Sequence, residues 1–123
     1  MELDVIIPAY NEEENLVKLY ETLETNLSDI KHNLIFIDDG SKDNTYKVLE
    51  SLYKKNSNIV KVIRFSRNFG KDAAIYAGLK RSKASYACII DADMQQDPKL
   101  IKDMLKVLKE NEEYDMVAMV NDY

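Results

Sequence analysis

The sequence has little of several features, and each shortage excludes a class of protein. It contains one cysteine, Cys88, so no disulfide can form within the chain, and we expect a reducing, cytoplasmic setting with this thiol buried and unreactive. The formal net charge is −5, which argues against the basic surface that nucleic acid or an anionic membrane requires. No apolar run approaches the roughly 18 residues of a membrane span, and no basic segment precedes the first apolar run as in a signal peptide. We therefore expect a soluble domain that does not bind nucleic acid.

Short apolar runs rich in β-branched and aromatic residues predict five β-strands. The predicted strands cover residues 3–9, 34–38, 59–65, 86–91 and 114–120. Between them lie stretches with apolar residues at helical spacing. The first predicted helix follows a capping box formed by Asn11 and Glu14.

Three further helices are predicted over residues 43–56, 71–82 and 98–111. Small side chains in 71–82 predict close packing of that helix on the sheet. Strict alternation of apolar strands with helices predicts an α/β fold, a Rossmann-like and mostly parallel sheet with helices on both faces. The absence of a repeat or linker predicts one domain over residues 1–123.

Polar clusters follow four of the predicted strands. They are "PAYNEEE", "DDGSKDN", "SRNFGKD" and "DADMQQD". In sheets of this kind ligands bind beyond the carboxyl ends of the strands. The sequence therefore predicts a ligand site at that edge.

The segment "DADMQ" predicts a metal site. On an extended backbone, Asp91, Asp93 and Gln95 would share one side and converge. Two adjacent carboxylates repel unless a cation lies between them, and oxygen ligands suit Mg²⁺ or Mn²⁺. The alternative is that Asp91 merely ends the strand, while Asp97 caps the following helix.

The segment "DDGS" predicts different roles for two adjacent acids. Asp38 and Asp39 alternate faces, so only one of them can accept hydrogen bonds from the N–H edge of a base in the crevice. Ser41 or Asp43 is predicted to cap the next helix.

The loop "SRNFGKD" is predicted either to touch phosphate oxygens or to be a solvated basic loop. Arg67 and Lys71 are its cationic side chains. The residues alone favour neither interpretation.

Four segments, "VIIPAYNEEENL", "FIDDGSKDNT", "SRNFGKDAAIYAGL" and "IIDADMQQDP", in this order resemble the N-terminal half of family 2 glycosyltransferases with the GT-A fold. Most similar are the polyprenyl-phosphate sugar transferases. The resemblance implies metal-dependent, inverting transfer of a sugar from a nucleotide-sugar to a polyprenyl phosphate or other glycan acceptor. A UDP-sugar is favoured, because "NFGKDAAIYAGL" resembles the bactoprenol branch. Full-length relatives act at the cytoplasmic face of the membrane.

The resemblance also assigns residues. It implies that Asp91 and Asp93 hold a divalent ion on the diphosphate with help from Gln95, and that Asp39 reads the base. The complete predicted nucleotide-binding set is Pro8, Ala9, Tyr10, Glu12, Ile37, Asp39, Arg67, Lys71, Asp91 and Ala92.

The sequence leaves the catalytic base unassigned. The family places this acid in a later, acceptor-binding half, and no residue here matches it. We therefore expect donor binding without appreciable transfer from these 123 residues, and self-association through an exposed edge. The alternative is a non-catalytic nucleotide-sugar-binding module. A dinucleotide-binding fold is disfavoured because no G-x-G-x-x-G follows a strand, and a response-regulator type because paired acids do not follow the first strand.

Overall fold

The computed structural model describes residues 2–93, 103, 106 and 116–118. The strands are β1 (Glu2–Ala9), β2 (Lys31–Asp38), β3 (Val60–Arg64), β4 (Tyr86–Ile89) and β5 (Met116–Ala118). The helices are α1 (Leu16–Asn26), α2 (Thr45–Lys55) and α3 (Lys71–Arg81). Asp103 and Lys106 are helical and exposed, whereas most of the helix predicted over 98–111, including Pro98 and the proposed cap Asp97, lies outside the described residues. No helix in the described part of the chain is long and apolar enough to span a bilayer.

The five strands form one sheet in the order β3-β2-β1-β4-β5. Every described pairing is parallel, which confirms the predicted parallel α/β fold. Strand β1 lies in the middle and pairs with β2 on one side and β4 on the other. The self-association predicted at an open edge stays a prediction.

Both faces of the sheet are buried, as the continuously apolar strands predicted. Alternate residues of β1 point to opposite faces, so that Val5 and Ile7 pack with α1 and α2, whereas Ile6 packs with α3. Phe36 packs with Val5 and Ile7 in the core beneath α1 and α2, and Ile37 packs with Ile6 in the core beneath α3. Helices therefore cover both faces.

Helix α3 approaches the sheet closely at a glycine. A Cβ atom at Gly78 would lie 2.4 Å from Cγ2 of Ile6 and 3.0 Å from Cδ1 of Ile37. Any side chain there would push the helix away from the sheet. The close packing predicted from the small residues is confirmed.

The thiol of Cys88 is buried, as predicted. Burial raises the pKa of Cys88 to about 12, because the apolar core disfavours the thiolate. The thiol therefore stays protonated and unreactive at neutral pH.

The capping box predicted for the first helix is wrong. Helix α1 begins at Leu16, preceded by Asn15, and Asn11 has a positive φ of 54°. Asparagine tolerates this left-handed conformation better than most residues. The side chain of Asn11 accepts a hydrogen bond from the Lys42 N–H at 2.9 Å, so it joins two loops and does not cap a helix.

Strand β4 ends earlier than predicted, at Ile89 instead of residue 91. The N–H of Ile90 still donates to the carbonyl of Ile6 at 3.0 Å. The next bond of the parallel ladder would need an N–H from Pro8, which proline lacks. The chain therefore leaves the sheet just before Asp91.

Asp4 holds together the amino-terminal end of the sheet. Its buried carboxylate accepts hydrogen bonds from the Ser82 hydroxyl at 2.6 Å, the Asn33 amide at 3.0 Å, and the N–H groups of Lys83 and Ala84 at 2.9 and 3.1 Å. Burial alone would raise the pKa of Asp4, but the hydrogen bonds from Ser82, Asn33, Ala84 and Lys83 outweigh it and lower the pKa below 3.8.

We predict that Asp4→Asn lowers the free energy of unfolding at pH 7 by about 1–3 kcal/mol, because a charged acceptor of several hydrogen bonds is lost. A carboxylate whose folded-state pKa is lowered stabilises the fold above its unfolded-state pKa of about 3.9, and this contribution disappears as the pH falls through the folded-state pKa. Urea unfolding at pH 7 and at pH 3 or below measures the effect, with Asp103→Asn as an exposed control. A destabilisation that is equal at both pH values would contradict the assigned role of the charge.

Candidate functional site

A pocket of about 180 Å³ opens at the carboxyl ends of β1, β2 and β4. This is the edge that the sequence predicted to hold a ligand. The pocket is lined by Pro8, Ala9, Tyr10, Glu12, Asp39, Lys71, Asp91, Ala92 and Asp93. Most of the predicted site residues therefore lie together.

Two of the predicted site residues, Ile37 and Arg67, do not line this pocket. Ile37 is fully buried in the core beneath α3, because its position in β2 points to that face. The guanidinium of Arg67 lies over the ring of Phe69, 4.8 Å from its centroid, and does not line the pocket. Gln95 lies outside the described residues.

One wall of the pocket is built by hydrogen bonds between the loop after β1 and the turn after β2. The N–H of Asn11 donates to the Ser41 hydroxyl at 2.9 Å, and the N–H of Glu12 donates to the Thr45 hydroxyl at 2.8 Å. The N–H of Asp39 donates to the carbonyl of Ala9 at 2.9 Å. Sequence reasoning missed these bonds because each joins residues about 30 positions apart, although "NEE" and "SKDNT" contain the polar groups needed.

Asp43 supports the same wall and the start of α2. Its carboxylate accepts hydrogen bonds from the Thr45 N–H at 2.9 Å, the Thr45 hydroxyl at 2.5 Å and the Glu13 N–H at 3.4 Å. Slight burial raises its pKa, but the bonds from Thr45 and Glu13 outweigh this effect, and the pKa of Asp43 is lowered. The N-cap residue of α2 is Asn44, so neither predicted residue occupies the cap position. Asp43 nevertheless bonds to the first helical residue, Thr45, whereas Ser41 bonds to Asn11.

Asp38 and Asp39 have different environments, as their adjacency predicted. Both are buried, but Asp39 lines the pocket and Asp38 does not. Asp38 accepts a hydrogen bond from the Ser41 N–H at 3.0 Å, which closes the turn after β2. The two acids therefore divide into one that shapes the turn and one that faces the crevice.

The carboxylate of Asp39 also positions the loop before α3. It accepts hydrogen bonds from the N–H groups of Phe69 and Gly70 at 2.8 and 3.1 Å, and from the side-chain amide of Asn68 at 3.2 Å. Gly40, with a φ of 69°, lets this loop pack closely, because a Cβ atom there would lie 2.1 Å from the Arg67 carbonyl carbon. The base-reading role of Asp39 stays a prediction.

Asp91 has one carboxylate oxygen that is paired and one that is not, among the described residues. Its Oδ1 lies 2.6 Å from Nζ of Lys71, the first residue of α3. Its Oδ2 is buried and has no hydrogen-bond partner in the structure described here. A buried acceptor without a donor is destabilising by about 1–3 kcal/mol, so this oxygen marks a place for a ligand.

Asp93 lines the same pocket as Asp91, but the backbone conformation that places it there differs from the one predicted. Ala92 and Asp93 lie in a turn, so the expected alternation along an extended backbone is wrong. The reason is the early end of β4 next to Pro8. Convergence of Asp91 and Asp93 on one pocket therefore comes from the turn.

The donor set fits a hard divalent cation. Two carboxylates, one of which has an orphaned buried oxygen, provide the oxygen ligands that Mg²⁺ and Mn²⁺ prefer, and such ions take their remaining ligands from water and substrate phosphates. No cluster of three or more His, Cys, Asp or Glu side chains occurs among the residues described.

Comparison with known proteins decides the family. Residues 4–123 match the model of Glycosyl transferase family 2. The chain belongs to this family. An uncharacterized glycosyltransferase, sll0501, from Synechocystis is 41% identical over 119 residues, covering 95% of this chain and 36% of that protein.

Two further relatives carry names that state a substrate. The dolichol-phosphate mannosyltransferase of Pyrococcus furiosus is 33% identical, covering 89% of this chain and 30% of that protein. The undecaprenyl-phosphate 4-deoxy-4-formamido-L-arabinose transferase of Proteus mirabilis is 36% identical, covering 94% and 36%. The chain thus spans about a third of the length of these relatives.

The fold is that of the GT-A glycosyltransferases, as the resemblance implied. The crystal structure of Staphylococcus aureus TarS 1-349 in complex with UDP-GlcNAc superimposes with a TM-score of 0.68 at 25% identity, covering 91% of this chain and 32% of that chain.

We predict that Asp39→Asn weakens binding of a nucleoside diphosphate about tenfold or more, and Asp38→Asn by less than about threefold, because only Asp39 faces the pocket. Isothermal titration with UDP and GDP measures both losses. Circular dichroism and melting temperature control for unfolding, since both acids are buried. Equal losses in two folded variants would reject the division of roles.

Proposed function

We propose that this chain is the donor-binding domain of a glycosyltransferase, in keeping with its match to about a third of the length of its relatives. The complete protein would transfer a sugar, with inversion, from a nucleotide-sugar to a polyprenyl phosphate or related acceptor. One observation carries the donor assignment. Asp91 and Asp93 lie together in the pocket, and one buried oxygen of Asp91 has no hydrogen-bond donor among the described residues.

The diphosphate of the donor is proposed to lie between these acids and the start of α3. Asp91 and Asp93 would hold Mg²⁺ or Mn²⁺, with the predicted help of Gln95. When bound, the ion supplies charge neutralisation of the leaving nucleoside diphosphate. Lys71 adds a second positive charge at the same pocket, where an ammonium and the amino terminus of a helix both favour phosphate oxygens.

The nucleoside is proposed to lie against the wall formed by the loop after β1. Pro8, Ala9 and Tyr10 line the pocket there, and 38% of Tyr10 is exposed. The carboxylate of Asp39 lies in the same pocket and would accept hydrogen bonds from a base, because a carboxylate has about four acceptor sites. Uracil is favoured, in keeping with the UDP-GlcNAc bound by the TarS structure.

The acid of Glu12 serves as part of the wall. Its carboxylate accepts a hydrogen bond from the Asn15 side chain at 2.7 Å, and its N–H donates to the Thr45 hydroxyl.

An inverting displacement needs an acceptor oxygen held about 3–3.5 Å from the anomeric carbon and, for a hydroxyl, a base within reach. We assign the binding of the acceptor and the catalytic base to the acceptor-binding half.

The lipid acceptor and the cellular location are proposed from the relatives. The named relatives are transferases of dolichol phosphate and undecaprenyl phosphate, which are membrane lipids. We therefore propose that the complete protein works at the cytoplasmic face of a membrane.

We predict that binding of UDP, GDP or their sugar conjugates depends on a divalent ion. Isothermal titration in Mn²⁺ should give an affinity at least about tenfold higher than in EDTA, because an ion held by Asp91 and Asp93 would neutralise the phosphates of the nucleotide. Asp91→Asn should lose this dependence, whereas Asp103→Asn, the same change at an exposed helical position, should retain it.

Equal affinity in Mn²⁺ and EDTA, in folded protein, would show that the metal assignment is wrong. No binding of any nucleotide under either condition would reject the donor-binding function itself.

A further inference from the structure

The ion pair between Lys71 and Asp91 is asymmetric. The lysine side chain is 47% exposed, whereas the carboxylate is 11% exposed. Within the described part of the chain, Lys71 pairs with Oδ1 at 2.6 Å, and the buried Oδ2 has no partner. The carboxylate of Asp91 is therefore buried in the pocket, whereas the side chain of Lys71, which carries the paired ammonium, is half exposed to solvent.

The backbone at Lys71 is held independently of this ion pair. The N–H groups of Phe69 and Gly70 donate to Asp39, and the carbonyl of Gly70 accepts from the N–H of Ala74 at 3.2 Å. A lysine side chain has a flexible stem and three rotatable donors. The ammonium can therefore leave Asp91 while α3 keeps its place.

A divalent ion and the ammonium compete for the same carboxylate. Two cations a few ångströms apart repel each other strongly in a partly buried site. An ion that binds Asp91 must therefore displace Lys71, which then loses its anionic partner. A diphosphate in the pocket would provide new oxygens for the displaced ammonium.

We infer that Lys71 is a built-in counter-ion of Asp91, which neutralises this carboxylate before the donor arrives and transfers to the diphosphate when metal binds. This inference rests on the proposed donor-binding function. Its consequence is that metal alone binds weakly and metal with nucleotide binds strongly. The coupling is reciprocal, so each ligand raises the affinity of the other by the same factor.

The test measures Mn²⁺ binding by the loss of the free-ion electron paramagnetic resonance signal, first without nucleotide and then with saturating UDP. Lys71→Met should bind Mn²⁺ alone about five- to tenfold more tightly than the wild type, because no ammonium must be displaced. The increase in Mn²⁺ affinity caused by UDP should be smaller in this variant than in the wild type, by about threefold or more, because only the direct contribution of the UDP phosphates remains.

Lys54→Met is the matched control. It removes one positive charge from α2, where the lysine side chain is 75% exposed and lies 3.8 Å from the exposed Glu50, so Mn²⁺ binding should match the wild type. Lys71→Arg keeps the charge and should retain weak binding of Mn²⁺ alone, and Lys71→Gln provides a second neutral variant.

The expected sign separates this role from a structural one, since damage to the site would weaken Mn²⁺ binding instead of strengthening it. Mn²⁺ affinity without UDP that is unchanged or lower in both neutral variants would overturn the inference, even if the wild type binds donor. Failure of UDP to bind would reject the donor-binding function, while the comparison in Mn²⁺ alone would still decide the role of Lys71.

Discussion

The central position of β1, paired in parallel with both β2 and β4, is the constraint on which the site depends. Parallel pairing places the carboxyl ends of all three strands at one edge. The segment after each strand therefore opens onto the same space. Ala9, Asp39 and Asp91 come from three distant parts of the sequence and line one pocket for this reason.

Buried acids of the described region are satisfied to different degrees, and this difference separates structure from function. Asp4 and Asp39 accept several hydrogen bonds each, and Asp38 closes its own turn. Asp91 retains a buried oxygen without a donor. Because a buried polar atom is usually hydrogen-bonded, the unpaired oxygen of Asp91 identifies where a ligand is expected to bind.

Local patterns predicted most of the fold and the position of the site. Apolar runs and helical spacing indicated the strands, the helices and the edge where ligands bind, and adjacency alone separated Asp38 from Asp39. Features that depend on a neighbouring strand were not predictable. The early end of β4 follows from the missing N–H of Pro8 on β1, and this requires knowledge of the strand order.

Contacts between distant loops were likewise beyond sequence patterns. The sequence predicted Asn11 as a helix cap, but Asn11 bonds to residues 41 and 42 in the turn after β2. Lys71 and Asp91 are 20 positions apart, and only the packing of α3 against the sheet brings them together. The cation next to Asp91 in the structure is thus a lysine, where sequence reasoning had assigned a metal alone.

The anomalous diffraction of Mn²⁺ in crystals grown with UDP tests most directly whether the unpaired oxygen of Asp91 is a metal ligand. The donor set predicts an anomalous peak within about 2.5 Å of Oδ2 of Asp91, with the UDP phosphates completing the coordination. UDP bound in the pocket with no peak at Asp91, and with Lys71 still paired to it, would contradict the metal-binding role of this carboxylate.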